Sequence, residues 1–258
     1  MNLPQRKDSR KPKQRIITVP NERSRAVWLS DLHFPHQDDA AIEIALNYAA
    51  KNKADVIVLG GDILDNTPFS RFGHETKDED IAAWFDMVIY FLQRLRKRFP
   101  KALIYWLEGN HDIWFKKYIV SNARVLQNDN YFTLQKRLRL DETKVEYLPE
   151  NIVLKFADLY LHHGHLFFRG KCLPISPART VFSKTKASTL CGHVHQQSQW
   201  VEKTIEGVRI KCYTTGCLSE LTPNYSPFNQ YCHGFADIKR DGKKAIVRNF
   251  VIDGTLED

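Results

Sequence analysis

Short apolar runs alternate with amphipathic stretches through the first 110 residues of the chain. Residues 26–29, 56–59 and 103–107 are uninterrupted apolar runs of strand length. Residues 38–53 instead place apolar side chains at helical spacing, and residues 76–79 fit a capping box that opens a second, longer helix. This order of strands and helices, with strands that are apolar on both faces, predicts neighbouring parallel strands in one sheet.

Strands predominate in the second half of the chain. Seven are predicted, at residues 152–156, 159–163, 189–191, 200–205, 208–213, 235–238 and 245–251. Gly207 and Gly242 mark turns between the last two pairs of strands, which predicts two hairpins. We expect one domain over residues 25–258, an α/β fold of two packed sheets with helices on their outer faces, preceded by a basic arm at residues 1–24.

Five short clusters of polar residues follow the apolar runs. In chain order they are Asp31-Leu32-His33, Gly61-Asp62 with Asp65, Gly109-Asn110-His111-Asp112, His163-Gly164-His165 and Gly192-His193-Val194-His195. Asp31, Asp62 and Asn110 each come just past the C-terminal end of a predicted strand, so their side chains should meet at one edge of the sheet. Carboxylate, imidazole and amide oxygen together form a ligand set for two neighbouring divalent cations.

The spacing within the clusters suggests how the ligands are shared. Asp31 and His33 alternate, as do His193 and His195, so on extended backbone each pair would point to one side and serve one cation. Asp62 follows two glycines, and its carboxylate can offer one oxygen to each of two cations.

The residue after Asn110 is a candidate proton donor. His111 cannot easily bind the same ion as its neighbour, so it is better used as a proton donor or as a positive group that faces the substrate. Asp65 is predicted to hold the His111 imidazole in the correct tautomer and to raise its pKa.

The ordered motifs D-x-H, G-D-x-x-D, G-N-H-D, H-G-H and G-H-x-H resemble those of the calcineurin-like metallophosphoesterase superfamily, over roughly residues 26–220. The resemblance implies a four-layer α/β/β/α sandwich with a two-metal centre that hydrolyses phosphate esters. It also implies the ligands: Asp31, His33, Asp62 and His195 for one ion, and Asp62, Asn110, His163 and His193 for the other. His111 would be the acid, supported by Asp65.

Other residues near the motifs are less clearly assigned. His163 is preferred to the adjacent His162 as a ligand because His163 begins the H-G-H motif. Arg71 is either a phosphate clamp or a surface residue. His165 is either a neighbour of the site or an exposed loop residue, and His36 either lines the pocket or serves the entry to the following helix. Arg71, His36 and His165 are therefore the candidates for binding substrate.

Composition bounds the class of protein. No apolar run approaches the roughly 20 residues that span a bilayer, and the N-terminus lacks the apolar core of a secretory signal. We therefore expect a cytoplasmic protein without a membrane partner. The five cysteines show no C-x-x-C spacing, which argues against a disulfide framework and a structural zinc site, so we expect reduced thiols.

The net charge of +8 is concentrated at the start of the chain. Residues 1–25 carry eight basic against two acidic side chains, a net excess of six, so the rest of the chain is nearly neutral. Two interpretations of this arm stay open: a disordered, solubilising tail, or a contact to nucleic acid phosphates.

The sequence predicts hydrolysis of phosphate esters with two divalent metal ions, of which Mn²⁺ is expected first and Fe or Zn²⁺ as alternatives. The expected enzyme is a phosphodiesterase for nucleotides or nucleic acid, similar to compact stand-alone members from bacteria and phages. A phosphomonoesterase for small molecules and a non-catalytic scaffold are the alternatives. Asn66 and Thr67 follow Asp65 where Ser/Thr protein phosphatases have Arg and Gly, which argues against that activity.

Overall fold

The computed structural model describes residues 15–71, 80–168, 174–223 and 228–254 of the 258-residue chain. In these parts the strands are β1 (Arg15–Thr18), β2 (Arg25–Leu29), β3 (Val56–Leu59), β4 (Leu103–Leu107), β5 (Val145–Leu148), β6 (Ile152–Phe156), β7 (Leu159–Leu161), β8 (Thr189–Cys191), β9 (Ser198–Lys203), β10 (Arg209–Thr214), β11 (Gly234–Asp241) and β12 (Lys244–Val251). The α-helices are α1 (Asp39–Lys51), α2 (Ile81–Arg98), α3 (Asp112–Asn122), α4 (Leu134–Arg137), α5 (Leu140–Thr143) and α6 (Pro177–Thr185).

The strands form two mixed sheets of six strands each. The first sheet has the order β12-β11-β2-β3-β4-β5, in which β2 to β5 are parallel and the β11–β12 hairpin joins antiparallel to β2. The second sheet has the order β1-β6-β7-β8-β10-β9 and ends in the antiparallel β9–β10 hairpin. The predicted parallel strands and both predicted hairpins are confirmed.

The two faces of the first sheet explain why its central strands are apolar throughout. Ile57 and Leu59 of β3 belong to the core under α1 and α2, whereas Val56 and Val58 belong to the core between the sheets. All four residues are fully buried because successive side chains point to opposite faces of a strand. On the far side, α6 packs on the second sheet through a smaller cluster that includes Val181. The four-layer α/β/β/α architecture is therefore confirmed.

Side-chain caps set the starts of the two long helices. The Asp38 carboxylate accepts a hydrogen bond from the Ala41 N–H (2.8 Å), and that of Asp80 accepts one from the Ala83 N–H (3.0 Å). The capping box predicted at residues 76–79 lies outside the described residues. Within the described parts of the chain, no helix is long and apolar enough to cross a membrane.

The N-terminal segment departs from the expected arm that ends at residue 24. Arg15–Thr18 forms strand β1, which pairs parallel with β6, and the following Val19 is fully buried in the core between the sheets. An edge strand needs partners on one side only, so a short segment with few apolar residues suffices. Residues 15–24 therefore belong to the folded domain, and residues 1–14 of the predicted arm lie outside the described residues.

Four of the five cysteines lie in the described parts. Cys191, Cys212 and Cys217 are buried and Cys232 is half-buried, and all four are free thiols. Cys172 lies outside the described residues.

Candidate metal centre

The loops that follow β2, β3, β4, β7 and β8 meet at one edge of the sandwich, and main-chain hydrogen bonds tie them together. The Asp31 N–H donates to the Gly61 carbonyl, and the His33 N–H donates to the Asp62 carbonyl, both at 3.0 Å. The His193 N–H donates to the Asp31 carboxylate, 3.0 and 3.1 Å from its two oxygens. The first, second and fifth sequence clusters are thus held in one framework before any ligand is considered.

The backbone at the clusters is left-handed rather than extended. Asp31 and His33 have φ of 58° and 50°, and His193 and His195 have φ of 70° and 55°. The prediction of two extended, alternating pairs is therefore wrong. Asp and His tolerate this region better than most residues, and such local strain is common at functional sites. His193 and His195 join different groups of candidate ligands, whereas Asp31 and His33 share one.

The first group consists of Asp31, His33 and His195. The His195 Nε2 lies 3.3 Å from Asp31 Oδ1 and 3.3 Å from His33 Nε2. The three side chains are buried, with between 0 and 6% of each residue exposed. These donor atoms lie close enough to one another to bind one cation.

The second group consists of Asp62, His163 and His193, with Asn110 beside it. The His163 Nε2 lies 3.1 Å from Asp62 Oδ2 and 3.2 Å from Asn110 Oδ1. Asp62 Oδ2 is also 4.0 Å from the Nε2 of His33, a member of the first group. Asp62 therefore stands between the two groups, where a bridging carboxylate would stand.

The tautomer of His163 shows that this arrangement suits a cation. Its Nδ1–H donates to the Gly60 carbonyl (2.8 Å), so in the neutral ring Nε2 carries a lone pair. That lone pair faces oxygens of Asp62 and Asn110, and three acceptors that converge in a buried site repel one another. A divalent cation with oxygen and nitrogen ligands relieves this repulsion, so the residues present fit the metal that the motifs imply.

The pKa shifts show the same charge pattern. Burial disfavours the charged form of His163, but the Asp62 carboxylate outweighs it and raises the pKa of His163 to about 9. Burial also disfavours ionised Asp31, but His195 outweighs it and lowers the pKa of Asp31 to about 2. A proton on His163 thus occupies the place of a cation, so metal and proton compete for this nitrogen.

His111 lies beside the two groups and is held by Asp65. The His111 Nδ1 lies 3.3 Å from Asp65 Oδ1 and also contacts the Asp65 carbonyl, and the His111 N–H donates to Asp62 Oδ1 (2.8 Å). Burial opposes the imidazolium form of His111, but the charges of Asp62 and Asp65 raise its pKa above the usual value. Asp65 Oδ1 lies 3.2 Å from the Nδ1 of His33 as well, so one carboxylate orients both rings.

The structure separates His162 from His163. Both ring nitrogens of His162 are used by the backbone: Nδ1 accepts from the Gly164 N–H (3.0 Å), and Nε2 donates to the Glu150 carbonyl (3.2 Å). His162 therefore has no lone pair available for a metal. His165 lies next to the second group, with its ring centre 5.4 Å from that of His163, and its Nε2 contacts the Glu150 carboxylate at 3.1 Å.

The other two candidates for binding substrate are not brought into the groups. The ring of His36 faces that of Trp84 at 6.3 Å, and His36 lines a neighbouring pocket together with Pro35 and His233. Arg71 is exposed and follows a single helical turn at Thr67–Phe69.

Two glycines allow the ligand carboxylates to approach the backbone. A Cβ atom at Gly109 would collide with the Asp62 carboxylate. A Cβ atom at Gly192 would collide with the Asp31 carboxylate and with the Ser30 side chain. Both motifs therefore require glycine immediately before the polar residues.

Asp112 is a residue of the site to which the sequence analysis assigned no role. It is 1% exposed, and its carboxylate accepts hydrogen bonds from Gly109 N (2.9 Å), Asp62 N (3.0 Å), Ile63 N (3.2 Å) and Trp106 Nε1 (3.0 Å). Burial, and then the charge of Asp62, raise the pKa of Asp112 to about 6. The sequence signal that could have identified Asp112 is its position as the last residue of the G-N-H-D motif. Asp112 fixes the loops that carry Asp62 and Asn110.

Comparison with known proteins agrees with this geometry. A family model described as calcineurin-like phosphoesterase matches residues 24–197, and the chain belongs to this family. It is accordingly a metal-dependent hydrolase of phosphate esters, and the two groups of Asp and His side chains support a binuclear metal site. No curated protein matches the chain significantly.

The solved structures that match this chain share little sequence with it. Wild-type Vps29 of Entamoeba histolytica, in complex with zinc, is 11% identical, with 90% of this chain and 96% of that chain covered and a TM-score of 0.47. The phosphoesterase YfcE of E. coli is 15% identical, with coverage of 89% and 100% and a TM-score of 0.38. The nuclease MPE of Pseudomonas putida is 14% identical, with coverage of 87% for both chains and a TM-score of 0.37.

The role of Asp112 can be tested by Asp112→Asn. The amide replaces one acceptor oxygen with a donor group that faces N–H donors, so we expect the free energy of unfolding to fall by about 3 kcal/mol. Metal affinity should fall with it, because the loops of Asp62 and Asn110 lose their anchor. Denaturant unfolding in chelator and calorimetric titration with Mn²⁺ measure the two effects.

Asp158→Asn is the matched control, since this exposed carboxylate accepts a single hydrogen bond, from the Ala245 N–H (2.7 Å), away from the metal centre. It should change stability by less than about 1 kcal/mol and leave metal affinity intact. Equal effects of the two substitutions would contradict the anchoring role of Asp112.

Proposed function

We propose that this protein is a phosphodiesterase that acts on nucleotides or nucleic acid with two divalent cations. The proposed ligands are Asp31, His33, Asp62, Asn110, His163, His193 and His195. Mn²⁺ suits this set of oxygen and nitrogen ligands, and Fe or Zn²⁺ are compatible with it. When bound, such a pair of cations lowers the pKa of water and neutralises charge on the phosphoryl oxygens. The convergence of lone pairs around Asp62 is the observation that carries this proposal.

The proposed acid is His111. Asp65 engages Nδ1, so Nε2 is the nitrogen left to face the substrate. The charges of Asp62 and Asp65 raise the pKa of His111, which favours the protonated ring, and a proton at Nε2 can pass to the oxygen of the leaving group. Asp65 then steadies the ring throughout the transfer, as carboxylates beside histidines commonly do.

The charge distribution supports a nucleic acid or nucleotide as the substrate. Positive charge is concentrated at the start of the chain and again in residues 112–139, which carry six basic against two acidic side chains. This second region begins directly after His111. A phosphodiester chain is a polyanion, which basic segments of this kind attract. We propose that Arg71 and His165 contribute to binding the phosphate, and His36 to lining the neighbouring pocket.

The choice between diester and monoester can be tested with bis-p-nitrophenyl phosphate and p-nitrophenyl phosphate in the presence of Mn²⁺. We expect a higher kcat/KM for the diester, since the proposed substrate is a phosphodiester. Clearly faster monoester cleavage would instead support a phosphomonoesterase for small molecules. A metal-loaded protein that hydrolyses neither ester would support a scaffold of the same fold.

The role of the acid can be tested by His111→Ala with two leaving groups. A dinucleotide leaves as a basic alkoxide that needs a proton, so kcat should fall by about 10²–10⁴-fold. p-Nitrophenolate is a stable anion, so kcat for bis-p-nitrophenyl phosphate should fall far less. The metal content should stay at the wild-type level, whereas Asp62→Ala should lose both ions.

Tyr90→Ala serves as the control, because this exposed ring lies on α2, outside the loops that carry the proposed ligands. It should leave both activities unchanged. An equal loss on the two substrates after His111→Ala would mean that His111 does not act as the acid.

A further inference from the structure

Helix α3 begins immediately after His111, and its two sides differ. Ile113, Phe115 and Ile119 are buried against the core. Trp114, Lys117, Tyr118 and Ser121 follow one another at helical spacing i, i+3, i+4 and i+7, so they share the opposite side of the helix. Lys117, Tyr118 and Ser121 are exposed and Trp114 is half-buried. We call these four residues the outer stripe of α3. The stripe is about 10 Å long, at about 1.5 Å per residue, and leads away from His111.

The stripe starts beside the proposed acid. The ring centres of His111 and Trp114 are 3.9 Å apart, with the planes inclined at 38°. Because His111 is the proposed donor to the leaving oxygen, whatever is attached to that oxygen lies beside Trp114. An indole at this point is suited to stack on a flat ring such as a nucleobase.

The next turn of the stripe offers a second aromatic ring and a positive charge. Tyr118 is 41% exposed and contacts Phe69, in the loop after Asp65, at 5.4 Å between ring centres. The exposed Lys117 lies one helical turn beyond Trp114 in the same stripe and directly before Tyr118. It therefore places a positive charge between the two aromatic residues along the helix.

The proposal rests on the phosphodiesterase activity proposed above and narrows its substrate. We infer that the outer stripe of α3 is a subsite for a single-stranded polynucleotide, on the leaving-group side of the scissile phosphate. Trp114 stacks on the base of the leaving nucleotide, Lys117 pairs with the next phosphate, and Tyr118 offers a surface for the following base. Aromatic rings interleaved with positive charge are the usual means of binding single strands without reading their sequence.

The stacking contact can be tested with dinucleotides that lack one base. Trp114→Ala should raise KM about tenfold for the intact dinucleotide. It should have little effect on KM for the version without the base on the leaving side, because no ring is then available to stack. Trp114→Phe, which keeps an aromatic ring, should restore most of the affinity. Substrates with the base removed from either side, with product analysis, identify which nucleotide leaves.

This comparison distinguishes binding from positioning. If Trp114 acts only by holding the His111 ring, Trp114→Ala will lower kcat equally for intact and base-free substrates, and the stacking proposal is overturned. An equal rise in KM for both substrates would overturn it as well.

The phosphate contact can be tested by salt dependence with a single-stranded oligonucleotide. Lys117→Ala should make the slope of log kcat/KM against log salt shallower by about 0.7, the value for one phosphate contact to a single strand. Lys116→Ala is the matched control, since Lys116 is also exposed but lies about 100° around the helix. Equal slopes for Lys117→Ala and Lys116→Ala would overturn the proposed contact.

Failure of this inference is distinguishable from failure of the proposed function. A wild-type enzyme that cleaves oligonucleotides but shows none of these differences retains the proposed function and loses the subsite. A wild-type enzyme that cleaves diesters of single nucleotides but no oligonucleotide also retains the proposed function and loses the subsite, whereas one that cleaves no nucleotide diester loses both.

Discussion

The central constraint on this structure is that several hydrogen-bond acceptors are buried close together, where they repel one another. Asp31, Asp62 and His163 are almost fully buried, and in the neutral His163 ring the lone pair of Nε2 faces two oxygens at 3.1 and 3.2 Å. A proton or a metal cation at this position relieves the repulsion. Removing such groups from water costs several kcal/mol each unless an opposite charge compensates them. Two divalent cations would supply that charge, with Asp62 between them. The candidate ligands are thus gathered without a metal. Because they repel one another, other contacts of the protein must hold them together.

The contacts that hold the candidate ligands together lie in the loops rather than in the strands. Left-handed backbone at Asp31 and at Asp62 turns the chain sharply where it leaves β2 and β3. Glycines at positions 109 and 192 leave room for the carboxylates, and the Asp112 carboxylate ties together two of the loops through main-chain donors. Left-handed backbone, glycine and a buried carboxylate are each unfavourable for stability on their own. They occur together at one edge of the sandwich because they hold the candidate ligands in place.

The sequence predicts the layers well because apolar periodicity reports burial directly. It misses β1 (Arg15–Thr18), since an edge strand buries little and its basic neighbours mask two apolar residues. It also assigns extended backbone at Asp31 and His33, because residue spacing cannot reveal the sign of φ. The residues that gather in the two Asp and His groups were predictable from the order of the motifs, because that order can be read without knowledge of the geometry. The stacking of Trp114 on His111 was not, since it depends on how α3 is set against the loop after β4.

The family fixes the reaction class, and the proposal of a nucleic acid substrate is based on the charge and the aromatic side chain beside His111. All of this presupposes two cations that share Asp62. Anomalous diffraction from crystals grown with Mn²⁺ tests that directly. We predict two peaks about 3.5–4 Å apart, one beside Asp31 and His195 and the other beside His163 and His193, with Asp62 contacting both. A single peak, or none, at full Mn²⁺ loading of a correctly folded protein would contradict the account.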